Sequence, residues 1–236
     1  MNKSVLRWTN YVLRRVFVDS VSGSYFGSFA LTDATSPLPV MISQFSAGVS
    51  TRDVGLNWTT TREMNNSGFN IERRSLASAN TYTAWTEIGS VPGHGTTTQP
   101  ENYAYTDKKL NVGTYQYRLK QIDYNGNDEY FSLNNPENVV IGKPGSADIS
   151  QNYPNPSNPK TKIDYQIPFD GKVTIKIYDV VGKEVVTLVS STLTAGYYTA
   201  EFDGTNYASG IYIYRMEADG TAGQKFTQTK KMVLLK

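Results

Sequence analysis

The sequence predicts an all-β protein made of two tandem β-sandwiches, and three observations support that fold class. Apolar residues recur at every second position in many short segments, as in Val54, Leu56 and Trp58, and this is the period of a half-buried strand. Turn-forming residues separate the segments, as in Asn125-Gly126, a pair that favours the type I′ turn of a β-hairpin. The chain has 236 residues, a length that suits two domains of about 100 residues each.

The composition limits the functional classes. The formal net charge is +2 and 19% of the residues are charged, so no strong field favours nucleic acid as a partner. The chain has no cysteine, so each sandwich must be stabilised by burial without disulfide bonds. The sequence contains no run of about 18 apolar residues, and we therefore expect no transmembrane segment.

Residues 38–142 are predicted to form the first sandwich. Its alternating segments are residues 54–58, 69–71, 103–105, 115–119, 130–133 and 139–141. About seven strands in about 100 residues is the size of an immunoglobulin-like or fibronectin type III-like sandwich. In such a fold we expect Trp58 in the core, and Tyr115 or Tyr117 in a tyrosine corner with Leu110 packed nearby.

Residues 149–236 are predicted to form the second sandwich, again with about seven strands. Its alternating segments are residues 163–167, 173–177, 185–189, 197–202, 210–217 and 224–235. Residues 143–148 form a short linker that contains Pro144 and Gly145, which break regular structure. If the chain is processed, a protease would gain access at this linker.

The second sandwich begins with an unusual run of prolines at positions 154, 156 and 159. Proline fixes φ and moves the preceding residue out of the helical region, and asparagine favours turns. We therefore expect residues 150–159 to be a stiff, extended, turn-rich segment, and neither a helix nor a central strand.

Residues 149–236 resemble the C-terminal sorting domain of proteins exported by the type IX secretion system of Bacteroidetes. The pieces that agree, in order, are residues 151–156, 161–168, 178–185, 203–204, 209–212 and 230–236. The family usually has Phe where this chain has Ser157. The first sandwich is similar to the fibronectin-like domains that often precede such sorting domains. The residues that carry this second likeness are 38–40, 56–58, 68–73 and 115–123.

The resemblance implies export across a Gram-negative outer membrane, with the type IX secretion machinery as partner and the extracellular space or outer cell surface as destination. It often also implies removal of the sorting domain and lipid attachment of the remainder. In that family the terminal strand belongs to the recognition signal. The corresponding residues here are Lys230, Lys231, Met232, Val233, Leu234, Leu235 and Lys236.

Residues 1–37 predict an N-terminal β-hairpin or arm, with strands at residues 11–18 and 25–31. An isolated two-stranded hairpin is marginally stable, so its apolar residues need a surface. It is either the remnant of an upstream domain or an extension of the first sandwich, or else a donor arm that pairs with a neighbouring copy and builds a filament. The candidate contacts of such an arm are Tyr11, Val12, Phe17, Phe26 and Phe29.

Residues with catalytic or metal-binding chemistry are sparse. His94 is the only histidine, and the glycines on either side of it predict a solvated loop tip. A zinc site or a Ser-His-Asp triad would have to be built on this one imidazole, so we expect no catalytic residue, metal site or cofactor. Residues 123–129 are rich in side-chain oxygens, like the start of a calcium loop, but a hairpin turn explains them more simply.

Four tyrosines of the second sandwich leave a further alternative open. Tyrosine is common on pleated surfaces, so we expect them to fill strand faces. Together they could instead form a flat aromatic face that stacks on a sugar or a partner. They are Tyr197, Tyr198, Tyr212 and Tyr214.

These observations predict a non-enzymatic, extracellular protein. The second sandwich would act as the sorting and surface-attachment module, and the first as a spacer or an adhesin. One alternative is a subunit of an extracellular filament joined by donor-strand exchange of the N-terminal arm. Another is the C-terminal part of a larger secreted enzyme, because the first ten residues lack the apolar stretch of a signal peptide.

Overall fold

The computed structural model describes residues 40–78, 81–133 and 137–236. Within these ranges every regular element is a β-strand, so the predicted all-β fold is confirmed. No helix in this part of the chain is long and apolar enough to cross a membrane. The predicted N-terminal arm, with Tyr11, Val12, Phe17, Phe26 and Phe29, lies outside the described residues, and the filament hypothesis that depends on it stays a prediction.

The long strand β2 belongs to both layers of the first sandwich. The strands are β1 Met41–Ser50, β2 Asp53–Ser78, β3 Thr81–Tyr82, β4 Thr86–Thr97, β5 Glu101–Asp107, β6 Gly113–Asp123, β7 Asp128–Ser132 and β8 Val139–Ile141. The first half of β2 pairs with β1 and β5, and the second half pairs with β4 and β6. Strand β3 pairs with the C-terminal end of β2, and both β7 and β8 pair with β6.

A bend within β2 carries the chain from one layer to the other. Asn65 lies in this bend with a φ of 57°, a left-handed conformation that asparagine tolerates better than most residues. The two halves of β2 then face each other across the core. The Trp58 ring stacks on Tyr103 at 5.4 Å between centroids, and Phe69 meets Tyr103 edge-on at 5.1 Å. Trp58 is therefore the core tryptophan, as predicted.

A tyrosine corner in the first sandwich is formed by Tyr115. Its hydroxyl donates a hydrogen bond to the carbonyl oxygen of Asn111 at 2.9 Å, and Leu110 is buried in the same core. The Tyr117 hydroxyl donates instead to the Asp107 carboxylate at 2.9 Å. Of the two tyrosines that the sequence offered, Tyr115 thus makes the corner.

The second sandwich has a core of its own. Its strands are β9 Asp148–Ile149, β10 Lys160–Ile167, β11 Gly171–Tyr178, β12 Glu184–Leu193, β13 Gly196–Asp203, β14 Gly210–Gly220 and β15 Lys225–Leu234. One layer has the order β13-β10-β9, and the other has the order β12-β11-β14-β15. Between them Ile163, Ile175 and Phe202 are buried. A second tyrosine corner joins the Tyr212 hydroxyl to the Ala208 carbonyl oxygen at 2.8 Å.

The first sandwich contacts one end of the second. The Lys109 ammonium nitrogen lies 2.8 Å from Asp164 Oδ2, and the Arg52 guanidinium carbon lies 4.6 Å from the centroid of the Tyr197 ring. We call this the proximal end of the second sandwich. The opposite, distal end holds the β11–β12 turn, the start of β14 and the end of β15.

Replacing Trp58 with alanine is expected to lower the free energy of unfolding of the first sandwich by about 3–5 kcal/mol, because it removes a large buried ring and leaves a cavity. Val49 is 48% exposed on β1, so Val49→Ala is a control with an expected change within about 0.5 kcal/mol. Urea denaturation followed by circular dichroism measures both variants. A loss below about 1 kcal/mol for Trp58→Ala would contradict the assigned core.

Candidate functional site

Residues 150–159, which we call the proline segment, lie along the outer edge of the last strand, β15. The Ser157 N–H donates to the Val233 carbonyl oxygen at 2.8 Å, and the Leu235 N–H donates to the Ser157 carbonyl oxygen at 2.9 Å. On its other edge β15 pairs with β14 from Lys225 to Leu234. The C-terminal end of this strand is therefore held on both sides, and backbone groups that an edge strand would expose there are bonded.

Three polar side chains of the proline segment also bind the backbone of β15. Gln151 Nε2 donates to the Lys231 carbonyl oxygen at 2.8 Å, Asn155 Oδ1 accepts from the Val233 N–H at 3.0 Å, and Ser157 Oγ donates to the Val233 carbonyl oxygen at 3.1 Å. Proline has no N–H and cannot extend a ladder of strand hydrogen bonds. The amide and hydroxyl side chains between the prolines supply bonds in its place, which gives a physical reason for this mixture of Asn, Gln and Pro.

Asn152 fixes the start of the proline segment in the core. It is buried, and its Nδ2 donates to the Pro154 carbonyl oxygen and to Thr161 Oγ1 at 3.0 Å each. Its backbone N–H donates to the Tyr214 hydroxyl at 3.0 Å, and that hydroxyl donates to the Ser150 carbonyl oxygen at 2.7 Å. Burial raises the pKa of Tyr214 to about 12, so the hydroxyl keeps the proton that this bond needs.

The structure divides the predicted sorting signal into inward and outward residues. Met232 and Leu234 have no exposed surface and belong to the core. Lys231 and Leu235 are exposed and Val233 is half-buried, so these three present their side chains outside the core. The signal is thus one strand of a folded sheet with a short tail, and the part that a partner can touch is smaller than the sequence suggested. Its role in recognition stays a prediction.

His94 lies in strand β4, so the expectation of a loop tip is wrong. Its Nδ1 lies 2.7 Å from the Tyr103 hydroxyl. That hydroxyl donates its proton to the Glu63 carboxylate at 2.5 Å. A phenol has a single proton, so His94 Nδ1 must be the donor in the bond between His94 and Tyr103.

The Glu63 carboxylate is the centre of this polar cluster. It is 2% exposed, and it accepts further bonds from Thr60 Oγ1 at 2.8 Å, Asn66 Nδ2 at 2.9 Å and the His94 N–H at 3.0 Å. Burial opposes ionisation of Glu63, but the hydrogen bonds outweigh burial and hold its pKa below the usual value. The cluster therefore ties both halves of β2 to β4 and β5 at the bend.

The geometry of this cluster suits stabilisation better than catalysis. Burial and the adjoining Glu63 carboxylate raise the pKa of Tyr103, and its ring is packed between Trp58 and Phe69. Two surface depressions have volumes of about 270 and 240 Å³, and neither is lined by Glu63, His94 or Tyr103. Among the described residues no group of three or more His, Cys, Asp or Glu is placed to hold a metal ion.

The other two candidate sites have structural roles. Tyr197, Tyr212 and Tyr214 are buried, so the alternative of a flat aromatic face is wrong. Asp123 Oδ1 accepts the N–H groups of Asn125 and Asn127 at 2.8 and 2.9 Å. This carboxylate closes the β6–β7 hairpin, and the predicted turn is confirmed.

Comparison with protein families identifies the second sandwich. Residues 151–234 match the family model described as the secretion system C-terminal sorting domain. The resemblance seen in the sequence is therefore confirmed: this part of the chain is a sorting domain of the type IX secretion class. A domain of this family implies that the protein carrying it is exported to the cell surface or the exterior.

Further comparisons add little to this assignment. No curated protein matches the chain. Dimeric latent PorU from Porphyromonas gingivalis is 15% identical, with 88% of this chain and 21% of that chain covered and a TM-score of 0.32. A tetra-tandem repeat in the extending region of a large adhesion protein is 17% identical, with 84% and 49% covered and a TM-score of 0.32. Escherichia coli alpha-2-macroglobulin activated by porcine elastase is 6% identical, with 85% and 22% covered and a TM-score of 0.33.

The chain spans between 21% and 49% of the length of these three structures. At their TM-scores the likenesses carry no argument about function. The functional assignment therefore depends on the family match and on the geometry around β15.

Replacing Glu63 with glutamine is expected to destabilise the first sandwich by about 1–3 kcal/mol at pH 7, because a buried, fully bonded anion is lost. The pKa of Glu63 is lower in the folded state, so its contribution is present above the unfolded pKa of about 4.3 and is lost as the pH falls through the folded value. Urea denaturation between about pH 7 and pH 3 should show a flatter pH dependence for Glu63→Gln than for the parent. Parallel curves would contradict the assigned role.

Proposed function

We propose that the protein is a non-enzymatic component of the cell surface, in which the second sandwich directs export and surface attachment and the first sandwich is a spacer. The observation that carries the sorting role is the bonding of the proline segment to β15. The strand with the predicted signal cannot leave the domain without breaking hydrogen bonds at both of its edges, so the signal is part of one folded unit.

A stack of cations and rings on the first sandwich supports a spacer over a sugar-binding adhesin. The Arg118 guanidinium carbon lies 4.5 Å from the Trp85 ring centroid and 4.1 Å from that of Tyr130. The Arg74 guanidinium carbon lies 4.5 Å from Trp85 and 4.6 Å from Tyr82. These guanidinium groups cover ring faces on which a sugar would otherwise stack. The stack therefore leaves fewer ring faces open for a sugar on this side of the sandwich.

The contact between the two sandwiches supports a spacer with a defined direction. The Lys109–Asp164 pair is largely exposed on the lysine side, and such pairs contribute about 0–1 kcal/mol. The Arg52–Tyr197 contact adds to it, because the Tyr197 ring is buried against the first sandwich. A spacer held in this way would keep the distal end of the sorting domain pointing away from the first sandwich.

The export role is tested by ending the chain at residue 142. The full and shortened chains would each carry the same added signal for crossing the inner membrane, in a bacterium that has a type IX secretion system. We expect the full chain at the cell surface, where external protease digests it, and the shortened chain in the periplasm. Equal surface display of both chains would contradict the sorting role.

The spacer role has a separate control in the same host. Replacing residues 40–142 with an unrelated β-sandwich of similar length should leave surface display unchanged. Loss of display after this exchange, with a folded product, would show that the first sandwich takes part in export itself.

A further inference from the structure

The outer face of the β12-β11-β14-β15 layer is polar in its proximal half and largely apolar in its distal half. Side chains alternate between the two faces of a strand, so the outward positions follow from the buried ones. The outward residues of the proximal half are polar, namely Lys172, Thr174, Glu217, Asp219, Thr227 and Thr229. The outward residues of the distal half are largely apolar, namely Tyr178, Ile211, Ile213, Val233 and Leu235.

The apolar residues are neighbours on this face, with Lys231 opposite Ile213 and with the Arg215 guanidinium carbon 5.2 Å from the centroid of the Tyr178 ring. Tyr178 pairs directly with Ile213 across β11 and β14, and Ile211 pairs directly with Val233 across β14 and β15. Side chains at such positions lie about 4.5–5.5 Å apart at their Cβ atoms and touch. Ile211 is 45% exposed and Leu235 is 49% exposed, although hydrophobic side chains of this size are usually covered in a folded domain.

The turn between β11 and β12 adds two valines to this surface. Val180 is 67% exposed and Val181 is 83% exposed. The turn is rigid, because Asp179 Oδ1 accepts the N–H groups of Val181 and Lys183 at 3.0 and 2.9 Å. We call these valines, together with Tyr178, Ile211, Ile213, Val233 and Leu235, the distal patch. A rigid apolar surface of this kind loses little entropy on binding.

A partner cannot bind here by adding a strand to β15. The outward backbone groups of Lys231, Val233 and Leu235 are already bonded to the proline segment. Strand addition needs free N–H and C=O groups along an edge. Recognition at this end must therefore use side chains.

The charged residues beside the distal patch indicate which charge the partner carries at the contact. Lys160, Lys162 and Lys176 of this sandwich are paired with carboxylates at 3.3, 3.1 and 2.7 Å. Lys183 in the turn and Lys231 opposite Ile213 belong to none of the ion pairs found among the described residues, and the same holds for Lys172, Lys225 and Lys230 elsewhere in this layer. The surface is thus an apolar centre with cations at its border.

We infer that the distal patch is the surface by which a protein of the export machinery holds this domain, through an apolar hollow bordered by carboxylates. The inference rests on the proposed sorting function and names the part of the domain that is touched. A second copy of the chain fits less well, because a twofold contact through the patch would bring together two surfaces that both have cations at their border. A lipid surface also fits less well, because Ile213 and Val233 are half-buried in the sheet and cannot reach about 5–10 Å below the headgroups.

The test uses the full chain with the same added inner-membrane signal in the type IX host. Val181→Glu and Ile211→Glu place a negative charge in the distal patch without removing a core side chain or a turn bond. Thr192→Glu and Thr229→Glu are matched controls on the same face of the same layer, because each places the new carboxylate opposite a cation, Lys172 or Arg215. We expect the patch variants to lose at least about tenfold in surface display, the change that a modest loss of binding energy produces. The controls should stay within about twofold, with all four variants folded by circular dichroism.

The outcomes distinguish failure of the distal-patch inference from failure of the proposed sorting function. Surface display of the patch variants at the parent level, or an equal loss in the controls, overturns the inference while the parent is still displayed. Equal display of the chain ending at residue 142 overturns the sorting function itself. Sedimentation of the purified chain gives a third result: a dimer that Val181→Glu dissociates would assign the patch to a second copy. Flotation with phosphatidylglycerol vesicles that Val181→Glu abolishes would assign it to lipid.

Discussion

The hydrogen bonds between the proline segment and β15 are the constraint on which the second sandwich depends. They join residues up to 80 positions apart, as between Gln151 and Lys231, and each contributes about 0.5–1.5 kcal/mol net. Burial of Met232 and Leu234 adds about 1.5–3 kcal/mol for each side chain. The terminal strand therefore has its outward residues in place only when the whole domain has folded. A sorting machinery that binds those outward residues would therefore bind the domain only when it is folded.

Hydrogen bonds also stabilise the first sandwich, where they satisfy polar groups at the bend within β2. Its layers share the strand β2, so the chain must bend sharply between them, and the bend leaves polar groups inside. The Glu63 carboxylate, with Tyr103 and Asn66, satisfies those groups and fixes one arrangement of the bend. Buried polar networks of this kind are costly when they are half-satisfied and specify one structure when they are complete. Neither sandwich needs a disulfide bond, because burial and these bonds are sufficient.

Local sequence patterns predicted most strands, and the exceptions have physical causes. Alternation identified β10 and β11, whose inward residues are fully buried. It missed β1, which is mostly exposed or half-buried, and it missed β4, whose glycines looked like loop residues. In β4 a Cβ atom on Gly93 would lie 2.5 Å from Asn66 Nδ2, and one on Gly89 would lie 2.5 Å from the Tyr105 ring. These glycines allow close packing. The pairing of the proline segment with β15 could not be predicted, because no local pattern records a partner so distant in sequence.

Native-state hydrogen exchange at two amides measures whether the proline segment and β15 open together with the rest of the second sandwich. The Val233 N–H is bonded to Asn155 Oδ1 and the Ser157 N–H is bonded to the Val233 carbonyl oxygen, so both report only on the contact between the proline segment and β15. If that contact is part of the domain, both amides should exchange through the same global opening as Ile175 in the centre of β11. Exchange of Ser157 and Val233 at the rate of unprotected amides, while Ile175 stays protected, would contradict the account.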